Sequence, residues 1–204
     1  MVRRFFAFVA RYRARVARFS TLLLVVLVAV SSSAQEGSLV APILFMAGLV
    51  LIGLATVGRM WCALYISGRK SSELVTVGPY SLTRNPLYLF SLFGFAGVGL
   101  ATETVTIPLT VVLVFAATYP GLIAAEEAHL RRTFGAAFDD YCARTPRFLP
   151  RFDTYSEAET WVVSPRIFRR TMLNALSFVW LAGLIEFFEA LHELGLTKPL
   201  FQLP

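Results

Sequence analysis

Two polar clusters interrupt an otherwise apolar chain, and both combine residue types that bind small charged molecules. The first, Gly78-Pro79-Tyr80-Ser81-Leu82-Thr83-Arg84-Asn85-Pro86-Leu87-Tyr88, places two tyrosines, an arginine, an asparagine and two prolines between hydrophobic segments. The second follows about forty residues later as Glu126-Glu127-Ala128-His129-Leu130, with Phe134-Gly135 and Tyr141 behind it. Polar residues set at membrane depth are costly and usually mark a site. Two such clusters flanking spanning segments are expected to frame a pocket at the membrane surface.

Each cluster also has a purely structural account. Asn85 before Pro86 reads as a helix start, and Gly78-Pro79 as the turn ahead of it. Tyr88 fits an interfacial aromatic belt. A cap needs neither Arg84 nor Tyr80. In the second cluster Glu127 and Arg131 stand four apart, a favourable helical ion pair, and Gly135 reads as a helix stop before another turn from Phe138 to Tyr141. Adjacent carboxylates point about 100° apart on a helix. Glu127 is therefore expected to face solvent with Arg131 while Glu126 faces inward. Thr145 to Pro150 reads as an extended segment, either a lid over the site or a linker. His129 reads as a general base or as a solvated helix histidine. No phosphate loop, dinucleotide fingerprint or Ser-His-Asp pattern is present.

The elements that must position these residues are membrane helices. Of 204 residues 56% are hydrophobic and 16% charged, with mean hydropathy +0.65, against about 25% charged in a soluble domain. We expect an all-α, multi-span bundle of about five spans, since each needs about 20 apolar residues. They fall at about Phe19–Ser33, about Leu39–Val57 with an extension to Ile66, a hairpin within Pro86–Ala125 turning near Thr102-Glu103-Thr104, and about Thr171–Ala190. The expected division is 1–38 (Arg-rich N-terminus and first span), 39–150 (core) and 151–204 (linker and extra span).

With the N-terminus inside, eighteen of the nineteen Lys and Arg residues fall on the cytoplasmic side, Arg59, Lys70, Arg84 and Arg166 among them, and only Lys198 outside. The two clusters then share the cytoplasmic face, with the C-terminus opposite. The first segment also resembles a signal peptide ending at Ser32-Ser33-Ala34. A net charge of +6 points here to anionic lipid headgroups and not to nucleic acid. Cys62 and Cys142 offer no disulfide framework and no metal spacing with His129 and His192, so no structural metal is expected. Glu186, Glu189 and Glu193 share one side of the last span as interfacial anchors, and Asn174 is placed to join a helix contact. Oligomeric state is not legible.

Taken together the clusters resemble the membrane methyltransferases typified by isoprenylcysteine carboxyl methyltransferase and phosphatidylethanolamine N-methyltransferase. The matching residues are Gly78, Tyr80, Arg84, Asn85, Pro86, Tyr88, Glu126, Glu127, Leu130, Phe134, Gly135, Phe138, Tyr141, Arg147 and Pro150. They span about 72–150, in the family's order and spacing. The resemblance implies S-adenosylmethionine as cofactor, bound on the cytoplasmic side by Leu74, Val75, Tyr80, Asn85, Pro86, Leu87, Tyr88, Glu126 and Arg147. Arg84, Asn85 and Glu126 are the expected catalytic residues. Chemically, a carboxylate such as Glu126 suits the cofactor's amino group or ribose diol, Arg84 or Arg147 its carboxylate, and tyrosine rings its sulfonium.

Two departures bear on the acceptor. Asn85 stands where the carboxyl methyltransferase has histidine, which removes a titrating group. Leu122 stands where that enzyme has a substrate-contacting arginine, which argues against a prenylcysteine acceptor. The expected activity is methyl transfer to another lipophilic, membrane-borne acceptor: an amine headgroup, an isoprenoid or another lipid. The alternatives are an NADPH-dependent membrane reductase of the sterol-reductase type and a non-catalytic protein that keeps the pocket.

Overall fold

The computed structural model describes residues 31–33, 38–69 and 72–203. The first expected span and the arginine-rich N-terminus lie outside the described residues, apart from Ser31–Ser33. Those three form β1, which pairs in parallel with β2 (Phe201–Leu203). Between them run α1 (Val40–Ile66), α2 (Pro79–Leu82), α3 (Pro86–Leu100), α4 (Thr106–Phe134), α5 (Ala136–Arg144), a 3-10 turn (Phe152–Thr154), α6 (Pro165–Ala175) and α7 (Ser177–Glu193).

The chain is mostly helical, and three helical stretches are long and apolar enough to cross a membrane: Val40–Ile66, Thr106–Phe134 and Pro165–Glu193. The last joins α6 to α7 across Leu176, where the ladder continues from Leu176 N–H to Met172 O and from Trp180 N–H to Leu176 O, both at 3.1 Å. Ile43, Met46, Val50 and Val57 on α1, and Leu109, Leu113 and Val114 on α4, are exposed. Such apolar outer faces suit lipid. α3 differs. With 15 residues it is about 22 Å long, short of the ~30 Å hydrocarbon core. The four crossings expected after residue 38 are thus three by length, with α3 the shortfall. Proline sets its start, and a buried turn sets its end. In that turn Thr102 Oγ1 donates to Gly99 O at 2.7 Å and lies 2.8 Å from Thr104 Oγ1.

α3 is nevertheless the hub, packed by α1, α4 and α7. Its approach to α1 is backbone on backbone. A Cβ on Gly48 would fall 2.7 Å from Gly97 O and 2.8 Å from Ala101 N, and one on Gly97 would fall 2.8 Å from Gly48 O. Small residues permit such crossings where lipid provides no hydrophobic drive between helices. Farther along, Phe178 of α7 fills the notch at Gly94, edge-on to Phe95 at 5.3 Å. Arg59, expected between spans, lies inside α1, donates to Ser91 and covers the Phe178 ring at 5.5 Å. Ile52, Ala55, Val98, Ala101, Ala182 and Ile185 complete this core. Asn174 is exposed among the described residues.

The Gly48 crossing is testable. Gly48→Ala should destabilise the detergent-solubilised protein by about 1–3 kcal/mol, lowering Tm. Gly53→Ala, whose Cβ would meet nothing within 4 Å, should leave Tm unchanged or slightly raised. Equal Tm values would refute the close crossing.

Candidate active site

Residues 145–156 run antiparallel along 78–85 as a strap. Arg84 N–H donates to Pro146 O at 2.9 Å, Asn85 Nδ2 to Arg147 O at 2.8 Å and Arg151 N–H to Leu82 O at 2.9 Å. Thr154 Oγ1 donates to Ser81 O at 2.8 Å, Ser156 N–H to Ser81 Oγ at 3.0 Å and Gly78 N–H to Ser156 O at 2.7 Å. The extended segment read as lid or linker is therefore bonded along its length to the first polar cluster. Gly78 has φ +61°, and a Cβ there would fall 2.4 Å from the Tyr65 ring, so only glycine fits this turn. The strap's far end is tied to α1. Tyr65 OH and Tyr155 OH both donate to Glu157, at 2.9 and 2.8 Å, and Trp161 Nε1 donates to Tyr65 O at 3.2 Å. The Tyr155 bond, with the Tyr65 bond next, holds the exposed Glu157 carboxyl below its ordinary range.

Arg84 occupies the centre of this lacing. Its Nε and Nη2 donate to Glu127 Oε1 at 3.2 and 3.1 Å, and its Nη1 to Cys142 O at 3.0 Å and Thr145 O at 2.9 Å. The last two are a last-turn carbonyl of α5 and the carbonyl of its C-cap, which a cation suits. Arg147 takes the other oxygen of Glu127, with Nε at 3.1 Å. The pairing expected between Glu127 and Arg131 gives way: Arg131 pairs with Asp139 at 2.7 Å. Glu127 is turned inward, its side chain only 16% exposed. Gly135, with φ +55°, ends α4 and reverses the chain so that Asp139 returns beside Arg131. Asn85 stands at the N-cap position of α3 but makes no side-chain cap bond; its amide holds the strap instead.

Beside this lacing Tyr88 OH donates to Glu126 Oε2 at 2.6 Å, joining the two clusters directly. Glu126 faces inward as expected. Tyr88 meets Tyr119 edge-on at 5.4 Å, Tyr119 stacks on Phe115 at 3.6 Å, and Phe148 of the strap closes on Phe115 at 6.1 Å. Leu122 joins this wall. Val75 and Tyr80 are buried with Cys62 and Tyr65, and Leu87 packs against them. Leu74 is half-buried and Pro86 buried. Tyr80 has an unusual setting. Tyr141 OH donates to its carbonyl at 2.6 Å, yet its own buried hydroxyl has no partner among the described residues. Burial, then the charges of Cys62 and Glu126, raise that hydroxyl well above the usual tyrosine range. It stays a neutral donor facing Glu126's field.

Sequence reasoning missed the aromatic wall, although Phe115, Tyr119, Leu122 and Glu126 fall at i, i+4, i+7 and i+11, one face of a helix. The central place of Glu127 had no such local signal, because its partners are 43 residues before it and 20 after it.

Comparison with known proteins agrees with this geometry. The sequence model of phospholipid methyltransferases matches residues 37–137. This chain belongs to the phospholipid methyltransferase family. The match begins just before α1 and ends at the first turn of α5, so it contains both polar clusters while Arg147 and the rest of the strap lie beyond it. Among curated relatives, the cobalt-zinc-cadmium resistance protein CzcN of Cupriavidus metallidurans is 38% identical over 196 residues, 96% of this chain and 90% of that one. The nickel-cobalt-cadmium resistance protein NccN of Alcaligenes xylosoxydans xylosoxydans is 38% identical over 178 residues, 87% of this chain and 82% of its own length. No solved structure matches the chain. Among the described residues no cluster of three or more His, Cys, Asp or Glu side chains forms a metal-ligand set.

Arg84→Ala leaves Glu127 half-paired and two α5 carbonyls uncapped. It should cost about 3 kcal/mol of stability, seen as a lower Tm even without any ligand. A Tm equal to that of the unsubstituted protein would refute the staple.

Proposed function

We propose that this protein is an S-adenosylmethionine-dependent methyltransferase acting on a lipophilic acceptor that enters from the bilayer. The observation that carries the reading is the Tyr80 hydroxyl, buried, without a partner among the described residues, and within the electrostatic reach of Glu126 and Tyr88. A buried orphan donor is costly and is normally satisfied by a ligand. The donor set fits the cofactor: a carboxylate for its amino group, tyrosine faces for its sulfonium, and an arginine for its carboxylate. Four of the five N–H groups of Arg84 are spent on protein acceptors. Arg147, 47% exposed and paired with Glu127 through Nε, is the better carboxylate ligand.

S-Adenosylmethionine supplies an electrophilic methyl group on sulfur, so the protein's task is alignment and not covalent catalysis. In this reading Glu126, held by Tyr88, orients the donor and takes the proton released by an amine or hydroxyl acceptor. Leu74, Val75, Pro86 and Leu87 wall the donor site. Arg84 and Asn85 act by holding the strap, which keeps water from the reacting atoms. The acceptor lies along Phe115, Tyr119, Leu122 and Phe148, an apolar wall suited to a lipid chain.

The same reading carries the rest of the architecture: five spans, 39–150 as the catalytic core with 1–38 and 151–204 as its additions, and a site on the cytoplasmic side. Because both relatives are named for resistance to cobalt and cadmium, we place the activity in tolerance of such cations, through a modified membrane lipid.

Calorimetry tests the cofactor first. S-Adenosylmethionine should bind the detergent-purified protein at micromolar concentration, and Glu126→Gln should abolish the heat. No binding by well-folded protein would overturn the reading. In cells, a strain relying on this chain should lose cobalt and cadmium tolerance when it carries only Glu126→Gln; full tolerance would separate resistance from methylation.

A further inference from the structure

The outward side of α6 and α7 is ordered like a phospholipid. Arg166, Arg169 and Arg170 stand at i, i+3 and i+4, within about 100° of arc. Leu173 and Trp180 continue the same stripe at i+7 and i+14, since the helical ladder runs on through Leu176. All five are exposed, Leu173 at 59% and Trp180 at 76%. The opposite side of α6, with Phe168, Thr171, Met172 and the buried Ala175, is the more enclosed one, and α6 packs on α1. α6 has no acidic residue, and among the described residues the ion pairs involve none of the three arginines.

Depth agrees with this order. A Cβ on Gly68, just past α1, would lie 3.3 Å from Ser164 Cβ and 4.0 Å from Ile167 Cδ1, so α6 starts level with the end of α1. Phe178 sits where Arg59 and Gly94 meet, farther in. The guanidinium groups therefore stand at the helix end, Leu173 one turn inward and Trp180 beside the apolar body of α7.

We propose that this stripe binds an anionic phospholipid, with its phosphate on Arg166, Arg169 and Arg170 and its acyl chains along Leu173 and Trp180. Guanidinium groups hold phosphate through paired N–H donors. A headgroup without its own cation is favoured over a zwitterionic one by about fivefold in affinity per arginine. The inference rests on none of the methyltransferase chemistry.

Trp180 provides the readout. In nanodiscs, phosphatidylglycerol with brominated acyl chains should quench the full chain's tryptophan fluorescence more strongly than phosphatidylcholine brominated in the same way. Trp180→Phe should remove that difference, and added salt should shrink it. Replacing the three residues together (Arg166→Gln, Arg169→Gln and Arg170→Gln) should abolish the preference, while the corresponding Lys substitutions should keep most of it. Equal quenching of the unsubstituted protein by the two lipids would overturn the proposal, as would a preference that survives the Gln substitutions.

Discussion

The Arg84 guanidinium bonded to Glu127 is the contact on which the site depends. One planar cation joins the loop before α3, the inner end of α4, the last carbonyls of α5 and, through the second oxygen of Glu127, Arg147 on the strap. A half-buried charge is tolerable only when its donors are matched, and here four of five are. A lysine could not span these acceptors, because its three donors radiate from one point. Without this junction the two polar clusters would be neighbours in sequence pattern only.

A second constraint comes from α3. It is too short to cross a bilayer alone by length, yet three neighbours pack on it. Glycines make that possible by letting α1 touch backbone and by admitting the Phe178 ring. The short helix also sets where its first turn lies. Tyr88 lies in its first turn, two residues after Pro86, and is met by Glu126, about two turns before the end of a much longer α4. Helices of unequal length thus bring a polar pair, Tyr88 and Glu126, together at one end of an apolar bundle.

The sequence revealed these features unevenly. Apolar runs located α1, the α3–α4 hairpin with its turn at Thr102-Glu103-Thr104, and α7, because span length and composition are local properties. The inward turn of Glu126 followed from helical geometry. Glu127 did not, since an i, i+4 partner was in view and the true partners were distant in sequence. Asn85 was legible as a helix start but not as the anchor of a strap, because an amide can either cap a helix or bond a remote carbonyl. The role of 145–156 is equally non-local, fixed by hydrogen bonds to a loop 62–78 residues earlier.

The antiparallel lacing of 78–85 by 145–156 also has a consequence for biosynthesis. Helices α1, α3 and α4 are complete when residue 134 has been made, but the loop that carries Tyr80 and Arg84 then still lacks half its hydrogen-bond partners. Those partners arrive from residues synthesised after the last of these helices, and the clasp at Tyr65 needs Glu157 and Trp161 as well. The polar site is therefore finished late, by chain that follows α4 and lies outside the spanning helices. A polypeptide that ends at residue 134 would carry the tyrosines of the first cluster without the strap that bonds to their loop.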